Sequence, residues 1–106
     1  FSLFGIQSIE ALTLKNDKLI QKISQDYTKK FCNSIAFGLS KDSAMKFSYK
    51  ENNLIFKKKK DFDSLNKSEV ANKIATSVIE SCGYIVNLRG DDGIENFKND
   101  YIAMSN

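Results

Sequence analysis

Apolar residues recur at steps of three and four along most of the sequence, which is the spacing of one face of an α-helix. The strongest such stripe begins at Val70 and stops just before Gly83. Asn66 and Glu69 precede it at the spacing of a capping box, and glycine is common just past the end of a helix. This stretch therefore predicts a helix over residues 67–82.

A second stripe of the same kind predicts a first helix over about residues 14–37. Gly38 follows it, at a position where the chain must turn left-handed. The segment before it, residues 1–12, is apolar without a clean period and is interrupted by Gly5, so we expect an irregular N-terminal arm, extended or partly helical, that packs on the core. The apolar residues that define the stripe are Leu19, Ile20, Ile23, Tyr27, Phe31 and Ile35.

Ser40 is a suitable N-cap for a second helix over about residues 41–58, which ends in a run of lysines where cations favour the negative end of the helix dipole. Most of the aromatic residues of the chain are expected on inner faces. The apolar faces of this helix are supplied by Ala44, Phe47, Tyr49, Leu54, Ile55 and Phe56.

A last helix over about residues 92–104 follows Gly90. The stretch from Tyr84 to Leu88 is rich in β-formers but isolated, which indicates an extended linker rather than a strand. The fourth stripe consists of Ile94, Phe97, Tyr101 and Met104. The sequence thus predicts a single all-α domain over residues 1–106, a compact bundle of about four helices.

Charge and composition narrow the function classes. The sequence contains no histidine, the side chain whose ordinary pKa best suits proton transfer near neutrality. Residues 1–60 hold 12 lysines and 5 acids, a charge of +7, while residues 61–106 hold 4 basic residues and 8 acids, a charge of −4. Arg89 is the one arginine, which disfavours specific contacts to nucleic-acid phosphates. These features favour binding over catalysis.

The two cysteines, Cys32 and Cys82, each lie on or beside the apolar stripe of a predicted helix. They are candidates for a disulfide between the first and third helices, and two buried free thiols are the alternative. Two cysteines without histidine make a poor zinc site, and no Cys-x-x-Cys redox motif is present. The residues leave the choice between the bond and the free thiols open.

The four consecutive lysines are a candidate nucleic-acid site, with Phe56 and Phe62 available for stacking on bases. A solvated helix end is the alternative, favoured by Asp61 and Asp63 directly after the run. The run consists of Lys57, Lys58, Lys59 and Lys60.

Other candidate sites follow from single residue types. Asp91, Asp92 and Glu95 lack the ligand spacing of a calcium loop, so an acidic helix N-terminus explains them better. Glu51 and Asp92 are carboxylates that an enzyme of unknown type could use. No metal, cofactor or catalytic residue is assigned. Aromatic residues outside the stripes are candidates for partner binding, namely Phe1, Phe4 and Tyr84.

Short motifs between residues 31 and 101 resemble those of small uncharacterised helical proteins of marine cyanobacteria. Members of this group often carry proline after the Cys-Gly-Tyr element, whereas Ile85 stands there in this chain. The resemblance implies export to the thylakoid lumen or periplasm, and an exported protein would favour the disulfide. Export would also agree with a chain that begins at Phe1 after removal of a signal peptide. Without such a peptide we expect the protein in the cytoplasm. The motifs are Phe31-Cys32, Phe37-Gly38-Leu39-Ser40 with Ala44 and Phe47, Glu51-Asn52, and Cys82-Gly83-Tyr84 with Gly90, Gly93, Ile94 and Phe97.

The leading hypothesis is a non-enzymatic helical interaction protein that docks on a larger protein assembly, including a membrane-bound photosynthetic one. A nucleic-acid-binding protein that uses residues 57–60 and an enzyme that uses carboxylates are the alternatives. No apolar run in the sequence is long enough to span a membrane, so any membrane association is expected to be peripheral.

Overall fold

The described part of the chain contains four α-helices. In the computed structural model, which describes the backbone of residues 3–105 and the side chains of residues 15–105, the helices are α1 (Leu3–Ala36), α2 (Lys41–Phe56), α3 (Lys67–Cys82) and α4 (Gly90–Ser105). Two short 3-10 turns, Phe62–Ser64 and Gly83–Val86, precede α3 and α4. The described residues contain no strand, so the all-α bundle expected from the sequence is confirmed.

Side-chain caps mark the starts of α2 and α3. The Ser40 hydroxyl accepts from the amide of Ser43 at 3.2 Å, and the Asn66 side chain accepts from the amide of Glu69 at 3.1 Å. These bonds satisfy amides that have no partner within the first turn. Gly38 adopts a φ of +100°, as predicted for the turn after α1. The prediction of α3 over residues 67–82 is confirmed.

Three boundaries differ from the sequence expectation. The first helix begins at Leu3 rather than near residue 14, so the expected irregular arm is helical along its backbone. Gly5 lies inside that helix, where a single glycine costs only about 1 kcal/mol relative to alanine. The second helix ends at Phe56 rather than Lys58, and α4 begins two residues early, at Gly90.

The helices alternate in direction. α1 and α3 run parallel, because Thr28 donates to Ser77 at 2.7 Å and Cys32 lies against Cys82 further along both helices. α2 packs mainly on α1, and α4 packs mainly on α3. The bundle is therefore up-down-up-down, and α2 is an edge helix that has only slight contact with α4.

An aromatic cluster fills the centre. Tyr27 and Phe31 on α1 meet Phe97 and Tyr101 on α4, with ring centroids 5.2 Å apart for Phe31 and Phe97 and 5.5 Å apart for Tyr27 and Tyr101. Both pairs pack edge to face, an arrangement that aromatic rings favour. The largest fully buried non-aromatic apolar side chains of the described residues are Ile23, Met45, Ile74 and Val78.

Candidate functional site

The two cysteines meet near the end of the bundle where α1 and α3 both finish. Cys32 lies one turn before the end of α1, and Cys82 is the last residue of α3. Their Sγ atoms are in direct contact and their Cα atoms lie 5.9 Å apart, within the range of Cα separations in disulfides. Of the two alternatives left open by the sequence, the structure supports the pair at disulfide distance.

Four large apolar side chains are exposed at this same end, which we call the disulfide end: Phe37, Leu39, Tyr84 and Ile85. Phe37 is 88% exposed and Tyr84 is 68% exposed. Phe37 follows the last residue of α1, and Tyr84 comes two residues after Cys82, so the cysteine pair brings both segments to one end of the bundle. Exposed large apolar groups gathered on one surface commonly mark a docking site.

Tight backbone packing holds the Tyr84 segment in place. A Cβ at Gly83 would lie 2.6 Å from the carbonyl oxygen of Leu88, and a Cβ at Gly93 would lie 2.9 Å from the Leu88 carbonyl carbon. Only glycine permits such an approach of two backbones. The expected extended linker at Tyr84–Leu88 is therefore wrong: the chain forms a 3-10 turn and reverses at Asn87, whose φ is +64°.

The outer face of α2 is a second exposed surface, which we call the basic apolar face: Lys46, Phe47, Lys50, Leu54 and Lys57. Phe47 is 47% exposed and Leu54 is 62% exposed, with the three lysines exposed beside them. Most of the aromatic residues are expected on inner faces, and for Phe47 that expectation is wrong.

The physical reason is that α2 buries a partly polar face. Its buried residues include Ser48 and Asn52 together with Ala44, Met45 and Phe56. The Asn52 side chain donates to the carbonyl of Ile23 at 3.1 Å, so a polar residue occupies a core position at little cost. The positions of the apolar residues alone therefore do not show which face of α2 is buried. The spacing of these residues in the sequence places Phe47 and Leu54 at a different angle around the helix axis from Ala44 and Phe56. This difference was the signal in the sequence for their exposure.

The four lysines of residues 57–60 are all exposed and lie at the end of α2 and in the turn after it. Phe56 is buried in the core and Phe62 packs partly against it. Phe56 is therefore not available for stacking on a base, and Phe62 is only half-exposed, which weakens the stacking half of the nucleic-acid interpretation. Lys15 pairs with Asp61 at 3.3 Å, which places a carboxylate beside the run.

Two of the candidate binding residues lie outside the described part of the chain. Nothing of Phe1 is described, and for Phe4 only the backbone, within α1, is described. Tyr84 is thus the candidate aromatic whose exposure is established.

The carboxylates do not form a cation site in the described residues. Asp91 and Asp92 occupy the first turn of α4, where negative charge stabilises the helix dipole. Glu51 lies on α2, a different helix. Among residues 15–105 no group of three or more His, Cys, Asp or Glu side chains is arranged to hold a metal ion.

A small cavity of about 210 Å³ opens between the helices at the end opposite the cysteines. Its apolar wall includes Ile23, Tyr49, Leu65 and Tyr101. This volume is below the roughly 300 Å³ at which pockets for drug-sized ligands begin.

Two core tyrosines are held in the neutral form. Burial raises the pKa of Tyr27 well above its ordinary value of 10.0, and the neighbouring Tyr101 raises it further. Burial likewise raises the pKa of Tyr101, with a smaller contribution from Tyr49. These phenols are structural, since they lie inside the aromatic cluster.

The described residues form an up-down-up-down four-helix bundle with two exposed surfaces, the disulfide end and the basic apolar face. No helix in residues 3–105 has both the length and the apolar character needed to cross a bilayer. No protein-family model, curated protein or solved structure matches the chain.

Proposed function

We propose that the chain is a non-enzymatic interaction protein that docks on a larger protein assembly through its disulfide end. The observation that carries this proposal is the exposure of Phe37, Leu39, Tyr84 and Ile85 at one end of a well-packed bundle. When a partner removes such side chains from water, the free energy of the complex falls by roughly 25 cal/mol per Å² of apolar surface buried. The resemblance to cyanobacterial proteins places photosynthetic membrane assemblies among the candidate partners.

Preorganisation supports the proposal. The backbone of Leu88 is wedged between Gly83 and Gly93, and the cysteine pair ties the ends of α1 and α3 together. A surface that is already rigid loses little conformational entropy when a partner binds. Tyr84 adds a ring that buries a large area at low entropic cost and a hydroxyl that can bond to a partner.

The compartment forms part of the same proposal. A cysteine pair at disulfide distance is stable in oxidising compartments such as the periplasm or a lumen and is kept reduced in most cytosols. We therefore propose that the native protein carries the Cys32–Cys82 bond and works in an oxidising compartment.

The direct test is capture of partners from native membranes and extracts with a tagged chain and matched variants. Tyr84→Ser with Ile85→Ser should abolish capture of a reproducible protein, and Phe37→Ser should weaken it. Leu54→Ser removes an equally exposed apolar side chain from a different surface and should leave capture unchanged. If all variants recover the same proteins, or the parent chain recovers none reproducibly, the proposal is wrong.

A further inference from the structure

We infer that the basic apolar face of α2 binds the surface of an anionic lipid bilayer. This function goes beyond docking on a protein and uses a different surface from the disulfide end. Binding to a bilayer surface requires apolar and cationic side chains next to each other on a helix. It also requires that this face of the helix is not covered by the rest of the protein, and α2 meets both conditions.

The apolar groups form one line. Phe47 and Leu54 are seven residues apart, two helical turns, so they lie on the same side of α2 about 10 Å from each other along its axis. Both rank among the exposed large apolar side chains of the described residues. Together they form a narrow ridge that can enter the boundary between headgroups and acyl chains.

The cationic groups run beside that ridge. Lys46, Lys50 and Lys57 follow at steps of four and seven, which keeps them in one row next to Phe47 and Leu54. None of the three forms a salt bridge with a carboxylate of residues 15–105. Residues 41–60 contain seven lysines and two carboxylates, a net charge of +5. This part of the chain therefore attracts negatively charged surfaces.

Three considerations select a bilayer as the occupant. Nucleic acid supplies phosphate but no apolar phase for Leu54, whereas a bilayer supplies both. A second copy of the chain would place the same lysines opposite one another in a two-fold contact, which repels. Lysine, a hydrated point charge on a flexible stem, suits diffuse attraction to headgroups, and the one arginine, Arg89, lies outside this face.

The first measurement is co-sedimentation with vesicles at low ionic strength. The full chain should bind vesicles of phosphatidylcholine mixed with phosphatidylglycerol and should not bind vesicles of pure phosphatidylcholine. Raising the salt concentration should release the chain from the mixed vesicles. The failure of any binding to the mixed vesicles would overturn the inference.

A tryptophan probe locates the contact, because the chain contains no tryptophan of its own. In Phe47→Trp, fluorescence should shift to the blue when mixed vesicles are added. In Phe37→Trp, the probe lies at the disulfide end and should not shift. A blue shift of the Phe47→Trp protein without vesicles, accompanied by a doubling of mass, would instead indicate a second copy and overturn the inference.

A matched pair of triple variants tests the lysines. Lys46, Lys50 and Lys57 replaced by glutamine should weaken vesicle binding about a hundredfold, since each lysine near an anionic surface contributes about fivefold. Lys18, Lys22 and Lys29 on α1 have the same spacing and are likewise exposed, and no large apolar side chain of residues 15–36 is exposed beside them. Replacing them by glutamine removes the same charge and should cost less than about tenfold.

Equal losses in the two triple variants would show attraction to the charge of the whole molecule and would overturn the inference, as would tighter binding to RNA than to mixed vesicles. Circular dichroism should show both variants folded, since all six lysines are exposed. Because these variants leave the disulfide end intact, loss of vesicle binding with retained protein capture separates this inference from the proposed function.

Discussion

Asn52 donates its side-chain amide to the carboxylate of Asp26 across the contact between α2 and α1, with Nδ2 and Oδ2 3.0 Å apart. The same amide nitrogen donates to the carbonyl of Ile23, and Asp26 also accepts from Lys30 at 2.6 Å. One buried polar side chain thus links two helices and a surface ion pair. This network fixes the rotation of α2 about its own axis relative to α1. It therefore determines which face of α2 is exposed.

Asn52→Ala should lower the free energy of unfolding by about 1–3 kcal/mol, because it leaves buried acceptors without a donor. Urea denaturation measures this loss. Ser48 is the matched control: it is buried one turn earlier on α2, and its hydroxyl has no hydrogen-bond partner among the described residues. Ser48→Ala should be neutral or stabilising, and a comparable loss in both variants would contradict the network.

Breaking the Cys32–Cys82 pair should destabilise the protein by about 4 kcal/mol in the chain-entropy model, since the pair encloses a separation of 50 residues. The measurement is urea denaturation with and without reductant. A double Cys→Ser variant serves as the control, because reductant should not change its stability. Two reactive thiols in the denatured, unreduced protein would show that the bond does not form.

Phe97→Ala should cost about 3–5 kcal/mol, because Phe97 is fully buried between Tyr27 and Phe31 and the cavity left behind cannot close completely. Thermal unfolding followed by circular dichroism would show this. Phe37→Ala removes the same group from an exposed position and should change stability by less than about 0.5 kcal/mol. A large loss at Phe37 would mean that the disulfide end is not exposed.

Gly83→Ala and Gly93→Ala should each cost about 1–3 kcal/mol, since the added methyl group meets the backbone of Leu88 rather than a flexible side chain. Gly38 is constrained differently: its φ is +100° with open space around the Cβ position. Asparagine tolerates left-handed backbone, so Gly38→Asn should be mild while Gly83→Asn is more damaging than Gly83→Ala. Equal tolerance at both positions would contradict the close approach.

Alkaline pH should unfold the protein through its core phenols. The folded pKa of Tyr27 and of Tyr101 lies above the ordinary value of 10.0, so the folded state favours the neutral phenols. Their contribution to stability is complete below pH 10 and is lost as pH rises above it. Tyr27→Phe with Tyr101→Phe should shift alkaline unfolding, followed by circular dichroism, to higher pH, whereas Tyr84→Phe at the surface should not.

Helix positions could be predicted from the sequence because they depend on local signals. The apolar stripe after Asn66 and the glycine at position 83 define α3 without reference to the rest of the chain. The pairing of the cysteines was left open, because the residues do not show how neighbouring helices are oriented. The parallel arrangement of α1 and α3 brings Cys32 to Cys82.

The exposed surfaces were harder to predict for the same reason. Asn52 occupies the core of α2 and Leu54 its surface, an inversion that depends on a carbonyl of Ile23 supplied by another helix. The turn at Tyr84 depends on Leu88 lying between Gly83 and Gly93. Both features arise from contacts between different segments of the chain. The spacing of apolar residues within one segment gives no information about such contacts.

The proposed Cys32–Cys82 bond would also close the chain into a ring from Cys32 to Cys82, with α2 and the four lysines of residues 57–60 inside it. A protease that cuts after one of those exposed lysines would divide the backbone without releasing either piece. The cleaved molecule would migrate as one species until a reductant separates it into two fragments.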